Sequence, residues 1–327
     1  MGKMTICLAL QGGGAHGAFT WGVLDRLLEL ERLDIAGISG SSAGAMNAVM
    51  LAAGWMQGGA PGARDMLNHF WEQVATPEHL SEQGQASVKQ WWQNLSRHLS
   101  PYDLNPFDIN PLRQILSESV DFEMLQREAP FNLFIAATEV ETGALRIFRE
   151  SELTVSHLLA SACLPRLHKA VKIEDRHYWD GGFSANPPLT PLITECRARD
   201  LLTILLQPLE RAEIPVSAQQ IDERVSELVF QSGFMRELTS VTLMQQYMRS
   251  RPWLLGRRER RLRRARLHLI GPDLQLMGMQ RASKFDTRRR FLLELKQMGR
   301  DQAQCWLDDK GASLGRASSW HPELEMG

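Results

Sequence analysis

The chain has 327 residues, enough for one large domain or two smaller ones with a substantial core. Hydrophobic residues make up 43% and charged residues 23%, which excludes a fully disordered chain, a collagen-like repeat and a small disulfide scaffold. The 37 basic and 38 acidic residues leave a net charge of −1, so the chain is not globally basic and no nucleic-acid partner is expected.

The first 55 residues alternate between strand and helix patterns. Short apolar runs at 5–10 and 35–39 predict buried strands, and apolar residues at helical spacing predict helices at 18–33 and 43–55. A glycine-rich loop at 12–17 separates the first strand from the first helix. This order predicts an α/β fold with a mostly parallel central sheet.

Residues 57–130 are predicted to form a helical insertion or cap, because Gly and Pro interrupt the strand–helix pattern there. Helices are expected near 63–74 and 84–98, and another after Asn110. Strand and helix patterns return after residue 130. In chain order they predict strands at 131–137 and 145–149, a helix at 155–163, a hairpin of 170–173 with 177–179, a strand at 201–207, a helix at 217–250, a strand at 267–270 and helices at 282–298 and 300–310.

A strongly basic segment, 249–266, contains nine arginines and one glutamate. Arg257, Arg258 and Arg261, together with Trp253, would attract anionic phospholipid head groups, which predicts peripheral contact with an anionic membrane. A solvated or ion-paired helix fits the same residues, as does a contact with an acidic partner subunit. Homo-oligomerisation therefore stays open.

Cellular location is predicted from three absences in the sequence. The four cysteines are far apart, with no zinc-binding spacing, and favour a reducing compartment. No run of 18 apolar residues indicates a membrane span, and the first ten residues make a poor signal peptide. These features predict a cytoplasmic protein, with peripheral membrane contact allowed by the basic segment.

The loop at 12–17 matches the pattern G-x-G-x-x-G through Gly12, Gly14 and Gly17. Between a strand and a helix this pattern is typical of dinucleotide binding, which also needs an acidic residue at the end of the second strand. Asp34 instead stands at the start of that strand. The other interpretation is that backbone N–H groups of this loop form an oxyanion hole.

A second motif, Gly40-Ser41-Ser42-Ala43-Gly44, matches G-x-S-x-G between a strand and a helix. Such a sharp turn points its central serine outward, so Ser42 is the candidate nucleophile. The alternative is that Ser42 only caps the helix. A third motif, Asp180-Gly181-Gly182, follows a strand pattern and is either an ordinary turn or the source of a base for Ser42. His268 and His321 are the other candidate bases, although nothing around either supports that role.

The three motifs in this order make the chain similar to the patatin-like phospholipase family. The resemblance extends from Gly40–Gly44 through Ala48, includes Ser161-Ala-Cys-Leu-Pro165, and covers about residues 4–210. It implies a three-layer α/β/α fold with helical insertions and a Ser–Asp dyad of Ser42 and Asp180. It also implies an oxyanion hole made by Gly13, Gly14 and Ala15. His16 stands where that family often has a basic residue, and Gln11 where plant-type members often have Asp.

The resemblance implies a lipid acyl hydrolase that cleaves carboxylic esters through an acyl-enzyme, with a lipid ester as substrate and with no cofactor or metal. It implies a catalytic domain over 4–210 and a helical C-terminal extension, 211–327, packed on that domain. Two alternatives stay open: a non-catalytic lipid-binding or regulatory member of the same fold, and a nucleotide-binding α/β protein that uses the glycine loop.

Overall fold

The computed structural model of the chain describes residues 4–30, 32–76, 100–104, 110–211, 214–250, 256–272 and 281–322. Within these ranges eight strands form one sheet: β1 (Met4–Leu10), β2 (Leu33–Ser41), β3 (Asn132–Glu139), β4 (Leu145–Arg149), β5 (Val171–Ile173), β6 (Arg176–Asp180), β7 (Asp200–Ile204) and β8 (Arg266–Ile270). Their order is β5-β6-β3-β2-β1-β7-β8, and β4 pairs with β3.

The central five strands, from β3 through β2, β1 and β7 to β8, run parallel, whereas β4, β5 and β6 pair antiparallel. We call the edge at which the parallel strands end the carboxyl edge, and the edge at which they begin the amino edge. The register brings Leu10 beside both Gly40 and Ile204, so the segments that follow β1, β2 and β7 meet at the carboxyl edge.

Ten helices lie among the described residues: α1 (Gly17–Leu27), α2 (Ala43–Val74), α3 (Pro101–Leu104), α4 (Pro111–Ser119), α5 (Phe122–Glu128), α6 (Val155–Ser161), α7 (Thr190–Glu195), α8 (Ala218–Ser250), α9 (Arg257–Arg264) and α10 (Arg289–Lys310). Short 3₁₀ turns at Gly14–His16, Gly181–Phe183 and Arg281–Phe285 add to them. Helices α1, α2 and α10 cover one face of the sheet, and α7 and α8 cover the other.

Strand β1 shows why both faces are covered. Its side chains alternate, as in any strand: Ile6, Leu8 and Leu10 belong to the core under α1 and α2, while Cys7 and Ala9 belong to the core under α7 and α8. All five are buried. A strand buried on both faces reads as a continuous apolar run, which is how it appears in the sequence. The predicted α/β/α fold with a mostly parallel sheet is confirmed.

Several predicted boundaries needed correction. The helices expected at 43–55 and 63–74 form one helix, α2, that is kinked where Gly58 and Gly59 have non-helical dihedral angles. The helices expected at 282–298 and 300–310 are replaced by one helix, α10, preceded by a 3₁₀ turn. Gly299 does not end α10, because it lies where that helix presses against the backbone of Phe19 in α1. The helix expected at 84–98 lies outside the described residues.

The chain after residue 210 contributes to the same sheet and layers. Strand β8 pairs with β7 along its whole length, and α10 packs against α1. A segment after α10 then covers β8, because the N–H groups of Ser319 and Trp320 both donate to the Leu267 carbonyl at 3.1 Å. These contacts bind the C-terminal part to the sheet that carries all three motifs.

Candidate active site

Ser42 occupies the sharp turn between β2 and α2. Its dihedral angles, φ 53° and ψ −123°, lie in a region that L-residues rarely adopt. Gly44 permits this turn, because a Cβ there would collide with the backbone carbonyl of Leu10. The Ser42 N–H donates to the Ser161 carbonyl at 3.1 Å and to its hydroxyl at 3.0 Å, which holds the strained residue in place.

The two adjacent serines differ in environment. Ser41 is fully buried, and its hydroxyl donates to the Ala185 carbonyl at 2.5 Å. Ser42 is half-buried, and its side chain makes no capping hydrogen bond to α2. The helix-cap interpretation of Ser42 is therefore wrong, and Ser42 is the more accessible of the two serines.

The glycine loop lies directly against this turn. A Cβ on Gly12 would come within 2.8 Å of the Ser42 Cβ, so only glycine allows the close approach. The N–H groups of Gly13, Gly14 and Ala15 precede the first hydrogen bond of the Gly14–His16 turn and have no partner inside it. Gly14 is exposed, Gly13 is half-buried and Ala15 is buried, so the first two of these residues stand at an accessible surface.

Two side chains fix the glycine loop from outside. The Gln11 side-chain carbonyl accepts hydrogen bonds from the N–H groups of Leu206 and Gln207 at 2.6 and 3.1 Å, which joins the ends of β1 and β7. The Gly12 N–H donates to the Asn186 side-chain oxygen at 2.7 Å, and the Asn186 amide donates back to the Gly12 carbonyl at 3.3 Å. Gln11 thus has a structural role, because its side-chain oxygen accepts both of these hydrogen bonds.

The sheet register brings Asp180 toward Ser42. Ser41 pairs with Ala136 across β2 and β3, and Ala137 pairs with Asp180 across β3 and β6. Two strand spacings of about 4.8 Å put the two backbones about 10 Å apart, which two facing side chains can bridge. The Asp180 N–H donates to the Cys163 carbonyl at 2.8 Å, and Thr138 donates its hydroxyl to the Asp180 carbonyl at 2.8 Å. These bonds anchor the backbone on both sides of the carboxylate.

The Asp180 carboxylate is completely buried and only half satisfied. Its Oδ1 accepts the Gly182 N–H at 2.7 Å, whereas Oδ2 has no hydrogen-bond partner of ordinary geometry among the described residues. Burial raises the pKa of Asp180 to about 7, and hydrogen bonding from Gly182 and from the Ser42 hydroxyl opposes that rise. The Ser42 hydroxyl thus approaches the Asp180 carboxylate. With a pKa of about 7, this carboxylate has a basicity close to that of imidazole.

Glycines at the remaining motif positions allow close packing around these groups. Gly17 packs on Ala43 at the start of α2, and Gly40 lies against the backbone of Gly44 inside the turn. Gly181 presses on the Ala136 carbonyl, and a Cβ on Gly182 would overlap the Phe230 ring. At each predicted motif glycine, a Cβ would therefore collide with a neighbouring group.

No histidine contacts the Ser42 hydroxyl among the described residues. His16 is buried beside the glycine loop, its Nε2 hydrogen-bonds to the Ser283 hydroxyl at 2.7 Å, and burial with nearby Lys284 lowers its pKa to about 4. His268 is fully buried near the amino edge, where it hydrogen-bonds to Asp200, and His321 is exposed. Neither of the two histidines considered from the sequence can serve Ser42.

The dinucleotide interpretation fits this arrangement poorly. Asp34 lies near the amino edge, paired with Arg197 at 2.9 Å, and β2 ends in Ser41 rather than in a carboxylate. The N–H of Gly12 is already bonded to Asn186. Among the described residues no group of three or more His, Cys, Asp or Glu side chains is arranged to hold a metal ion.

The basic residues predicted to meet lipid are far from this site. Arg257, Arg258 and Arg261 lie on α9, which directly precedes the first residue of β8 and therefore belongs to the amino edge. Arg261 donates to the Thr194 carbonyl at 2.7 Å, while Arg257 and Arg258 are exposed. Trp253 lies outside the described residues. None of the helices described has the length and apolar character needed to cross a bilayer.

Two contributors to the site were not identified from sequence. Ser161 was noted only as part of a motif, yet its carbonyl and hydroxyl both hold the Ser42 N–H. Asn186 was not considered, although it braces Gly12 and lies six positions after Asp180. The one available signal for Asn186 was the run Asn186-Pro-Pro, which continues the chain from the Asp180 motif.

The structure defines an α/β protein with a mostly parallel sheet, in which a strained serine turn, a glycine loop and a buried aspartate lie at the carboxyl edge. The chain belongs to the patatin-like phospholipase family, because the model of that family matches residues 8–193, more than half of the chain. Membership of this family supports a lipid hydrolase activity. No curated protein sequence matches the chain.

Among solved structures, the chain is similar to VipD from Legionella pneumophila, with 14% identity and a TM-score of 0.43. That match covers 94% of this chain and 67% of VipD. It is also similar to the type III effector protein ExoU, with 17% identity and a TM-score of 0.38, over 94% of this chain and 53% of ExoU. The chain therefore spans about half to two thirds of the length of these relatives.

Proposed function

We propose that the protein is a serine hydrolase that cleaves carboxylic esters of lipids, with Ser42 as nucleophile and Asp180 as general base. The observation that carries this proposal is the buried Asp180 oxygen that has no other partner and lies beside the hydroxyl of a strained, half-buried serine. An unpaired buried carboxylate is destabilising, so an arrangement that keeps one is typical of a catalytic site.

The reaction divides between these two side chains. Asp180 Oδ2 accepts the Ser42 proton as Ser42 Oγ bonds to the ester carbonyl carbon, and the carbonyl π electrons move to oxygen. When the tetrahedral intermediate collapses, the C–O bond to the alcohol breaks, and Asp180 returns the proton to the departing alkoxide. A water molecule then attacks the acyl-enzyme in the same way, releasing the fatty acid and restoring Ser42.

The glycine loop supplies the other requirement of the reaction. The N–H groups of Gly13, Gly14 and Ala15 follow Gly12, which lies against Ser42, and they have no partner inside their turn, so they can donate to the oxyanion. Removing one such donor in a hydrolase typically costs about 3–4 kcal/mol of transition-state stabilisation. Backbone donors braced by Gln11 and Asn186 need no reorganisation as the charge forms.

The substrate class follows from family membership, and the site chemistry agrees with it. A carboxylate whose pKa is about 7 can take a proton from serine and return it to an alkoxide. We therefore propose an ester of a fatty acid, in a phospholipid or lysophospholipid, rather than an amide.

Covalent labelling and substitution test the proposal. A fluorophosphonate should label Ser42, and Ser42→Ala should lower kcat/KM for a short p-nitrophenyl ester by at least about a thousandfold. Asp180→Asn should cause a loss of similar order, because an amide cannot accept the proton.

Ser41→Ala is the matched control, since it removes a neighbouring buried hydroxyl outside the chemistry. It should lower stability and leave kcat/KM within about threefold. Near-normal turnover by Ser42→Ala, with contaminating esterase excluded, would refute the proposal, whereas absence of turnover by the wild type would favour a non-catalytic member of the fold.

A further inference from the structure

We infer that the protein docks on the apolar surface of a zwitterionic phospholipid bilayer through the N-terminal half of α8 and the residues leading into it. This surface, called the α8 rim, consists of Ile214, Val216, Ile221, Val225, Leu228 and Val229. The inference rests on the proposed function, since it describes how that site would reach a lipid ester held in a membrane.

The α8 rim belongs to the carboxyl edge of the sheet. Helix α8 follows β7 after the connection 205–217, and Gln231 donates to the carbonyls of Pro208 and Leu209 in that connection at 3.1 and 3.4 Å. The other end of α8 reaches the amino edge, because Gln245 donates to the carbonyls of Leu262 and Ala265 just before β8 begins. The helix thus runs from the edge with Ser42 to the opposite one.

Helix α8 touches the loop that carries the proposed base. The Phe230 ring lies 4.6 Å from the Phe183 ring, centroid to centroid, and fills the space beside Gly182. The Gly182 N–H is the donor to Asp180 Oδ1. Leu228 and Val229 directly precede Phe230, so the α8 rim includes the helical turn that packs against the Asp180 loop, with its side chains on the outer face of that turn.

The side chains of the α8 rim are unusually exposed for their type. Ile214 and Val216 are each 85% exposed, and Val225 and Leu228 are about half exposed at 53% and 48%. On α8 the positions 221, 225, 228 and 229 follow helical spacing and share the face opposite the buried Phe234 and Leu238. A contiguous exposed apolar face of this kind marks an interaction surface.

Other segments at the carboxyl edge add exposed apolar side chains. Leu167 is 43% exposed and follows Cys163, whose carbonyl holds the Asp180 N–H. Phe285 is 44% exposed and follows Lys284, whose carbonyl lies against Gly14. Apolar exposure therefore occurs on three separate segments that contact the base or the glycine loop.

The charge pattern identifies the kind of surface that would cover this face. Residues 208–230 contain five acidic and two basic residues, an acidic excess of three. Both basic residues, Arg211 and Arg224, are paired with Glu227. This local excess of acid does not attract anionic head groups, so docking would come from burial of apolar side chains in a neutral bilayer.

A bilayer suits this position better than a protein partner does. The N-terminal half of α8 is at the same edge of the sheet as the half-buried Ser42, so a bilayer at that edge would face both. A protein seated there would obstruct the opening to a lipid substrate, whereas a bilayer would supply that substrate.

The experiment compares two variants of the same helix. In the α8-rim variant, Val225→Ser with Leu228→Ser, the apolar surface near the site is reduced. In the matched control, Leu243→Ser with Tyr247→Ser, somewhat more exposed residues, at 58% and 63%, are changed near the amino edge. Each pair is measured for hydrolysis of phosphatidylcholine vesicles and of a soluble p-nitrophenyl ester. Co-sedimentation with the same vesicles is measured in the Ser42→Ala background.

We expect the α8-rim variant to lose about tenfold or more in vesicle binding and hydrolysis. Its kcat/KM for the soluble ester should stay within about twofold of the wild type, and the control should match the wild type throughout. Co-sedimentation should not require anionic lipid and should change little with salt.

Several outcomes would overturn the inference. The first two are absence of wild-type binding to neutral vesicles and unchanged vesicle binding by the α8-rim variant. The others are an equal loss of vesicle binding by the control variant and an equal loss of soluble-ester hydrolysis by the α8-rim variant. A dimer that the α8-rim variant dissociates, with vesicle binding intact, would assign this face to a second copy of the chain. Loss of soluble-ester hydrolysis by Ser42→Ala remains a separate test of the proposed function.

Discussion

The two edges of the sheet each bury an aspartate, but the two carboxylates are in opposite states. At the carboxyl edge, Asp180 keeps one oxygen without an ordinary hydrogen bond, and burial raises its pKa to about 7. At the amino edge, Asp200 accepts hydrogen bonds from Arg266, from His268 at 2.9 Å and from the Gly315 N–H at 3.1 Å. These bonds hold the pKa of Asp200 well below its ordinary value despite burial.

The amino edge also contains a set of residues that imitates a catalytic triad. His268 hydrogen-bonds through Nδ1 to the Ser319 hydroxyl at 2.8 Å and through Nε2 to Asp200. Arg266 neutralises the aspartate, however, and the imidazole is fully buried. A Ser–His–Asp chain is therefore not sufficient for catalysis, because a fully buried imidazole cannot reach a substrate.

The largest expected effect is a loss of stability on replacing Asp200, the aspartate whose hydrogen bonds are complete. Asp200→Asn should lower the free energy of unfolding by about 3–5 kcal/mol, because it leaves the half-buried Arg266 without its charge partner. Urea denaturation measures this loss. Asp34→Asn is a matched control at the same edge: its partner Arg197 is largely exposed, so the loss should be below about 1 kcal/mol. Equal losses would remove the distinction between the edges.

The next effect has the opposite sign. The pKa of Asp180 is higher in the folded than in the unfolded chain, so its contribution to stability is present at low pH and is lost as pH rises toward 7. Asp180→Asn should therefore be more stable than the wild type at pH 8 by roughly 2–4 kcal/mol. The difference should shrink toward pH 5, as measured by thermal or urea unfolding. A destabilised Asn variant at pH 8 would contradict an uncompensated carboxylate.

The pH dependence of hydrolysis sharpens the same point. A base must be deprotonated to act, so kcat/KM for a soluble ester should rise about tenfold per pH unit below pH 7 and level off above it. Initial rates between pH 5 and 9 measure this profile. A flat profile across that range would mean that the base titrates elsewhere.

The smallest expected effect concerns His16. Its hydrogen bond to Ser283 holds the glycine loop from outside the reacting groups, so His16→Ala should lower kcat/KM by about threefold to tenfold. Because its pKa is near 4, the imidazole is neutral at pH 7, and the variant should keep the wild-type pH profile. A displaced profile would give His16 a part in the proton transfer.

Local sequence signals predicted the parts of the site that are contiguous in the chain. Gly12–Gly17 and Gly40–Gly44 each combine a turn with the helix that follows it, so spacing alone indicates their geometry. The helical kink at Gly58 and Gly59 was likewise visible as an interruption of the pattern. Such features depend on backbone conformation, which residue type controls directly.

Long-range features were harder to predict. Nothing local to Asn186 indicates that it bonds to Gly12, 174 positions away in the chain. The continuity of α10 through Gly299 also depends on a neighbour, because the glycine serves its approach to α1 rather than a break. The placement of the basic helix α9 opposite to Ser42 follows from strand order, which composition does not encode.

The hydrogen bonds between Asn186 and Gly12 link the two loops that carry the proposed catalytic groups. They tie the backbone just beyond the Asp180 turn to the first glycine of the loop that contains the candidate oxyanion donors. The loop after Asp180 and the glycine loop are therefore held together by hydrogen bonds, so a displacement of either loop would displace the other. Substitutions that affect Gly12 and Asp180 should consequently act non-additively, with the second adding little to the damage done by the first.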